Sequence, residues 1–250
     1  MAASASDITQ ACLNGETNII SQCLSNLSTI PDTTTIQNLL IAAASKAQTE
    51  TVTLLFARFP SIAITEELIR TSIRTGSTTL FSVLLEQDSS ISKTSFDRSN
   101  PLSIAITRRQ TLEFINLLLS TGADPNDPEP TFSLLSRAAA FYDTPDVVKS
   151  LLQYGARLKG SSALIGAASE NNVEIVRYLL EAGANPRTDY LEDEIPSPAL
   201  NVAVEKGHVE VAKMLIEHGA DPNVVDWNGK TAMEIAEKKQ PEMIALLMKN

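Results

Sequence analysis

Few side chains in this 250-residue chain have the types and spacing that catalysis or metal binding requires. The two histidines, His208 and His218, have no further histidine or cysteine at ligand spacing, so we predict no metal site. A phosphate-cradling glycine loop, a nucleophile elbow and a zinc-protease helix are all absent, and no Ser–His–Asp set can be assembled. We therefore expect no cofactor, and the sequence favours a binding protein over an enzyme.

The two cysteines, Cys12 and Cys23, lie in the first part of the chain, and the rest has none. A disulfide scaffold needs several cysteines along a chain. We therefore interpret both thiols as small apolar residues and keep a single bridge between them as the alternative.

The elements that must position any functional residue follow from a repeat. An apolar residue is followed three positions later by a small residue eight times, about once per 32 residues. The apolar positions are Ile8, Leu40, Ile69, Leu102, Leu135, Leu164, Leu200 and Met233. A fixed period of this size predicts an array of stacked units instead of one closed core.

The clearest unit runs over residues 200–223. Its apolar residues recur at helical spacing on both sides of Gly207, which predicts two short helices joined by a tight turn. Gly219 ends the second helix, and Asp-Pro-Asn then favours a loop. The unit is therefore a helix, a turn, a second helix and a loop.

Residues 207–236, GHVEVAKMLIEHGADPNVVDWNGKTAMEIA, resemble the junction between two ankyrin repeats. The resemblance rests on Gly207–His208 between the helices, Gly219 to Asn223 at the exit, and the turn formed by Asp226, Gly229 and Thr231. It is strong over residues 100–250, weak before residue 80, and covers nearly the whole chain. The family's Thr-Pro-Leu-His motif is never complete here, and PALN stands at Pro198, so we expect its hydrogen bonds to be partly absent.

The resemblance implies an all-α ankyrin-repeat solenoid of stacked helix–turn–helix units with short loop fingers. We expect one domain over residues 1–250, a stand-alone array of about eight divergent repeats. The expected unit ranges are 4–31, 32–63, 64–92, 95–126, 127–157, 158–186, 187–223 and 224–250.

Partners of ankyrin arrays usually meet the loop tips and the ends of the first helices, on the concave face. Carried onto this sequence, that property of the family gives a set of candidate binding residues. The set is Arg74, Arg108, Phe141, Tyr142, Glu170, Tyr190, Lys206 and Trp227. Arginine, tyrosine and tryptophan are enriched at binding hot spots.

Most of these residues also have a simpler interpretation. Arg74 and Arg108 are compatible with solvated helix ends, where positive charge complements the helix dipole. Glu170 could pair with a nearby lysine or arginine, Phe141 could pack into the next unit, and Trp227 could cover a neighbouring loop. Both interpretations stay open at the level of sequence.

An unusually long acidic loop, NPRTDYLEDEIPSP, occupies residues 185–198 and contains Tyr190. We interpret it as a solvated insertion or as a flap beside the groove, since loops on a rigid scaffold often carry binding residues. The sequence does not decide the role of its 187–198 segment.

The charge balance limits the partners. The net charge is −10, and lysines and arginines cluster only in pairs, so we expect no nucleic-acid partner. The acidity favours a basic partner. No apolar run reaches the length of a membrane span, and MAASASDITQ lacks the pattern of a secretory signal, so we expect a cytoplasmic or nuclear protein with no membrane contact.

We thus predict an intracellular interaction module or scaffold that binds another protein on its concave face. The alternative is a small-molecule-binding or catalytic array of a biosynthetic pathway that uses a groove of Arg, Glu and aromatic residues, with arginine as an electrostatic clamp and Glu or Asp as a base. A homodimer through the last repeat is a third prediction, because residues 242–249 carry an apolar set that a capping repeat seldom exposes.

Overall fold

The computed structural model describes residues 5–26, 31–96, 99–126, 133–187 and 198–248. Throughout these ranges the chain forms short helices joined by turns, with one isolated β-bridge between Phe96 and Ser99. The chain divides into two compact units, Met1–Ala123 and Asp124–Asn250, which we describe separately.

The first unit contains four helix pairs. They are α1 (Ala5–Asn14) with α2 (Thr17–Ser25), α3 (Thr33–Ser45) with α4 (Thr49–Arg58), α5 (Glu66–Thr75) with α6 (Thr78–Gln87), and α7 (Pro101–Thr107) with α8 (Leu112–Ser120). A 3₁₀ turn, Ile91–Lys93, lies between α6 and α7. The first helices α1, α3, α5 and α7 pack side by side in chain order, and the second helices do the same.

The second unit repeats the arrangement. Its pairs are α9 (Leu134–Phe141) with α10 (Asp146–Gln153), α11 (Ala163–Ser169) with α12 (Val173–Glu181), α13 (Ala199–Lys206) with α14 (Val209–Glu217), and α15 (Ala232–Lys239) with α16 (Ile244–Leu247). A 3₁₀ turn, Pro241–Met243, precedes α16. The prediction of an all-α fold built from stacked helix–turn–helix units is confirmed, whereas the unit ranges and the single domain stay predictions.

Small residues let the first helices approach closely. In both units their central alanines are completely buried, for example Ala105 and Ala203. The helices approach closely at Gly166 in α11, where an added Cβ atom would lie 2.3 Å from the backbone oxygen of Ser136 in α9. Large residues fill the space between the second helices, as where the rings of Phe81 and Phe114 pack edge to face at 5.3 Å.

Polar side chains just before several second helices tie neighbouring pairs together. Each forms a hydrogen bond with a backbone carbonyl at the end of the preceding pair's first helix, where carbonyls lack a partner within the helix. The contacts join Gln48 to Leu13 (3.1 Å), Gln110 to Ile73 (2.8 Å), Asn172 to Ala139 (2.8 Å) and His208 to Ala168 (2.8 Å). The stack therefore has specific polar contacts as well as apolar packing.

A second set of hydrogen bonds joins a first helix to the loop that enters the next pair. Its members are Gln37 to the Ala63 oxygen (2.6 Å), Arg70 to the Ser99 hydroxyl (2.8 Å), Ser136 to the Ser162 oxygen (2.8 Å), and Asn201 to the Val224 and Lys230 oxygens (3.1 and 2.9 Å). Asn201 is the last residue of PALN. Asn201 stands where the family's motif has histidine. It forms hydrogen bonds at a position where we expected the bonds of that motif to be partly absent.

A left-handed residue forms the turn between the two helices in most pairs, whereas the α9–α10 and α15–α16 turns have none. Glycine is this residue at Gly15, Gly76 and Gly207, with φ near 70° to 75°. Ala47 occupies the same turn with φ of 54°, and Arg109 does so with φ of 52°. The left-handed conformation costs a residue with a Cβ atom about 1–2 kcal/mol, so these turns are strained.

Candidate functional site

The two arginines of the candidate set lie in the first unit, both at ends of first helices. Arg74 is exposed in the last turn of α5, and its Nη2 donates a hydrogen bond to the Thr71 hydroxyl at 2.8 Å. Arg108 is exposed at the C-terminal cap of α7. Positive charge at a helix C-terminus complements the helix dipole, so both positions also satisfy the simpler interpretation.

Glu170 and Lys206 lie in the second unit and pair with each other. The Lys206 ammonium is 3.6 Å from Oε1 of Glu170 and donates a hydrogen bond of 2.6 Å to the Ser169 carbonyl oxygen. The Ser169 hydroxyl donates to the same carboxylate at 3.0 Å. Both charged side chains are about half exposed, so the pair contributes roughly 0–1 kcal/mol to stability. A base at Glu170 would have to give up these contacts.

The same contact recurs one helix pair further on. Lys239, at the end of α15, forms an ion pair with Glu205 near the end of α13. Cross-repeat lysine–glutamate contacts therefore join the ends of α11, α13 and α15. A pairing of Glu170 with a lysine or arginine was left open by the sequence, whereas the Glu205–Lys239 pair was not foreseen. The separations of 36 and 34 residues, each close to one repeat, were a usable signal.

Phe141 and Tyr142 lie at the end of α9, and both are half-buried. Nδ2 of Asn172 donates to the carbonyl oxygens of Ala139 at 2.8 Å and of Tyr142 at 3.1 Å. The backbone of this segment is therefore fixed against the next helix pair. Tyr190 and the acidic segment 188–197 lie outside the described residues.

Trp227 lies at the tip of a loop that we call the finger, residues 221–231. Its side chain is 66% exposed, far more than expected for a ring that covers a neighbouring loop. The turn beneath it is held by the nearly buried Asp226, whose Oδ1 accepts hydrogen bonds from the backbone N–H groups of Asn228 (2.8 Å) and Lys230 (3.0 Å). The Asp226 N–H also donates to the Lys230 oxygen at 2.9 Å.

The base of the finger is fixed to α13. Nδ2 of Asn201 donates to the carbonyl oxygens of both Val224 and Lys230, one on each side of the tip. Val225, 46% exposed, lies beside the tryptophan. The finger thus presents two apolar side chains to solvent on a backbone that is already ordered.

The acidity of the chain is concentrated in the second unit. Residues 124–250 carry 12 lysines and arginines against 20 aspartates and glutamates, a formal charge of −8. Residues 1–123 carry 8 against 10, a formal charge of −2. The electrostatic attraction for a positively charged molecule is therefore greater at the unit that carries the finger.

Both histidines contact backbone carbonyl oxygens, and one of the two cysteines is buried. Nδ1 of His208 contacts the Ala168 oxygen and Nδ1 of His218 contacts the Met214 oxygen, each at 2.8 Å. Cys12 and Cys23 are free thiols, and burial raises the pKa of Cys12 to about 11. Within the described ranges, no three histidine, cysteine, aspartate or glutamate side chains group in a way that could hold a metal ion.

Comparison with known proteins is consistent with the helical repeat. Residues 131–190 and 190–250 match the family model for ankyrin repeats, which describes three copies. SH3 and multiple ankyrin repeat domains protein 2 of Homo sapiens is 35% identical over 104 residues, which are 39% of this chain and 6% of that protein. Ankyrin repeat protein nuc-2 of Neurospora crassa is 35% identical over 129 residues, 48% of this chain and 11% of that protein. The chain therefore spans a small part of either relative.

Proposed function

Because this chain is an ankyrin repeat protein, we propose that it is an interaction module that holds a protein partner along its concave face. Ankyrin repeats generally mediate protein–protein interaction. The observation that carries the proposal is the combination of this repeat with the finger, which presents an ordered, exposed tryptophan. Large aromatic side chains held in this way are frequent anchors of binding energy.

Within each unit, the charged ends of the first helices support a polar rim for such a surface. Arg74 and Arg108 are exposed, and the Glu170–Lys206 pair is half exposed. Rim charges of this kind steer a partner and set its register more than they add affinity. The proposal therefore assigns recognition to the helix ends and anchoring to the finger.

Site-specific photocrosslinking tests the proposed face. A photoreactive phenylalanine analogue is placed at Arg74, Arg108 or Lys206, and in matched controls at Glu174 and Lys213, which are exposed on second helices. After irradiation in an extract of the source cells, mass spectrometry identifies the adducts. We expect one partner to be captured repeatedly from the first-helix positions and not from the controls. Adducts that form only from Glu174 and Lys213 would contradict the concave face.

The small-molecule alternative stays a prediction. The pairing of Glu170 with Lys206 and Ser169 does not favour it, because a catalytic base needs a carboxylate that can reach its substrate. Substitution of Arg108 and Glu170 by alanine should abolish binding of a small ligand, if one exists, at an unchanged melting temperature.

The homodimer also stays a prediction. Met243 and Leu247 are buried within the last helix pair, Ile244 and Leu246 are half-buried, and Met248 is 71% exposed, so part of the apolar set faces solvent. Sedimentation at micromolar concentration decides between a monomer and a dimer. A cytosolic or nuclear location completes the proposal, and microscopy of a tagged chain tests it. None of the described helices has the length and apolar character needed to cross a bilayer.

A further inference from the structure

We propose that Trp227 is the anchor for a basic segment of the partner, and that it binds an arginine side chain of that segment across its ring. The inference rests on the proposed function and adds to it the anchoring residue and the chemistry of the partner. It follows from the exposure of the ring, the order of the finger and the charge of the unit that carries it.

The Trp227 ring is available to another molecule. Its side chain is 66% exposed, and it is the only tryptophan in the sequence. A large aromatic ring held exposed on an ordered loop is open to a partner, and tryptophan is enriched at binding hot spots. Lys149 shows how this protein uses aromatic faces, since its ammonium lies 5.4 Å from the centre of the Tyr178 ring.

The finger is ordered before any partner arrives. Asp226 fixes the turn through two backbone N–H groups, and Asn201 fixes both sides of its base. A partner that binds here does not have to order the loop, so more of the contact energy is retained as affinity. Asp226 and Asn201 thus act as positioning residues for Trp227, and both are almost fully buried.

The charge of the second unit selects a cation among the groups that could cover an indole. Residues 124–250 have a formal charge of −8, which attracts basic segments and repels acidic ones. Tryptophan is the best of the aromatic side chains at holding a cation over its face, and arginine is the more frequent cation in such contacts. An arginine-rich segment therefore satisfies both the long-range field and the local contact.

Model peptides test the inference without knowledge of the natural partner. The probe is a capped dodecapeptide of alternating arginine and glycine, with glutamate and leucine versions of the same length as comparisons. Binding is measured by isothermal titration at about 50 mM salt, where charge attraction is only partly screened. The single indole N–H resonance of the wild-type protein reports directly on Trp227. We expect the arginine peptide to bind and to shift this resonance, and the glutamate peptide to do neither.

Three variants separate the ring from the charge. Trp227→Ala should lower the affinity for the arginine peptide about fivefold, because a cation over an exposed ring contributes about 1 kcal/mol to binding. Trp227→Phe should lower this affinity by less. Tyr154→Ala is the matched control, since this tyrosine is 46% exposed in the same unit and its removal leaves the net charge unchanged. The Tyr154 variant should bind as the wild type does.

Several outcomes overturn the inference. They are no binding of the arginine peptide, equal binding by the Trp227→Ala variant, an equal loss in the Tyr154→Ala variant, and stronger binding of the leucine peptide. An indole resonance that moves on dilution of the protein alone would show that a second copy covers the finger. If Trp227→Ala binds normally while crosslinks still map to the first-helix ends, this inference fails and the proposed function stands.

Discussion

Replacement of Gly166 by alanine is the sharpest test of how closely the first helices pack. Gly166 is the one glycine inside a described helix, and intrinsic helix propensity predicts that alanine would stabilise α11 by about 1 kcal/mol. The geometry predicts the opposite sign. The new Cβ would lie 2.3 Å from the backbone oxygen of Ser136 and 2.9 Å from its hydroxyl oxygen.

The size of the effect follows from the distance that must be recovered. Carbon contacts are favourable near 3.5 Å, so α9 and α11 would have to separate by roughly 1 Å. Overpacking of this kind costs about 1–3 kcal/mol. The shift also stretches the Ser136–Ser162 hydrogen bond of 2.8 Å, which contributes about 1 kcal/mol. After the gain in helix propensity is subtracted, we expect Gly166→Ala to lower the free energy of unfolding by about 1–3 kcal/mol.

Urea unfolding followed by circular dichroism at the helical band measures this difference. The matched control is Ala42→Gly in α3, because Ala42 and Gly166 both lie two residues after the apolar position of their repeat. In the Ala42→Gly control, the free energy of unfolding should fall by about 1 kcal/mol through helix propensity alone. Stabilisation of the protein by Gly166→Ala would refute the reasoning, because it would show that the two helices do not approach as closely as described.

Three further predictions concern the first unit. Ala47→Gly should stabilise the protein by about 0.5–1 kcal/mol, because it relieves a left-handed alanine at φ 54°, and a lower urea midpoint would contradict this. Asp32 is the N-cap of α3, and the backbone N–H and the hydroxyl of Thr35 donate hydrogen bonds to its carboxylate and lower its pKa. The contribution of Asp32 to folding stability is therefore complete above the unfolded pKa of about 3.9, and it is lost as the pH falls through the folded pKa. Asp32→Asn should therefore flatten the decline in urea stability below pH 4, and an unchanged decline would exclude this role. In the folded protein a thiol reagent should label half-buried Cys23 and spare Cys12 until denaturant is added, and rapid labelling of both would show that α1 opens readily.

The turns illustrate what could be predicted from sequence. Gly207 and Gly219 both adopt positive φ, at 75° and 88°, where the helices were expected to end. Because glycine adopts positive φ readily, its presence after a helical pattern is enough to predict the turn from a single sequence. Ala47 and Arg109 adopt the same conformation with no such signal, because the surrounding helices impose it on them.

The candidate site was harder to predict because its geometry depends on register between neighbouring repeats. Trp227 could be identified as exposed because it stands in a turn motif. The sequence left open that Glu170 pairs with a lysine or arginine, and a separation close to one repeat points to Lys206, but the contact itself depends on which helix ends meet. The role of Asn201 was missed because a buried asparagine in a helix gives no sign of the two carbonyl groups that it contacts.

The hydrogen bonds between helix pairs have a consequence for how such a chain can change in length. Within each unit, every one of these bonds joins a pair only to its immediate neighbour, as Gln48 does with Leu13 and His208 with Ala168. A tandem duplication inside the gene would therefore supply both the donor and the acceptor of each new junction. Growth or loss of one module would therefore leave the hydrogen bonds of the other junctions intact.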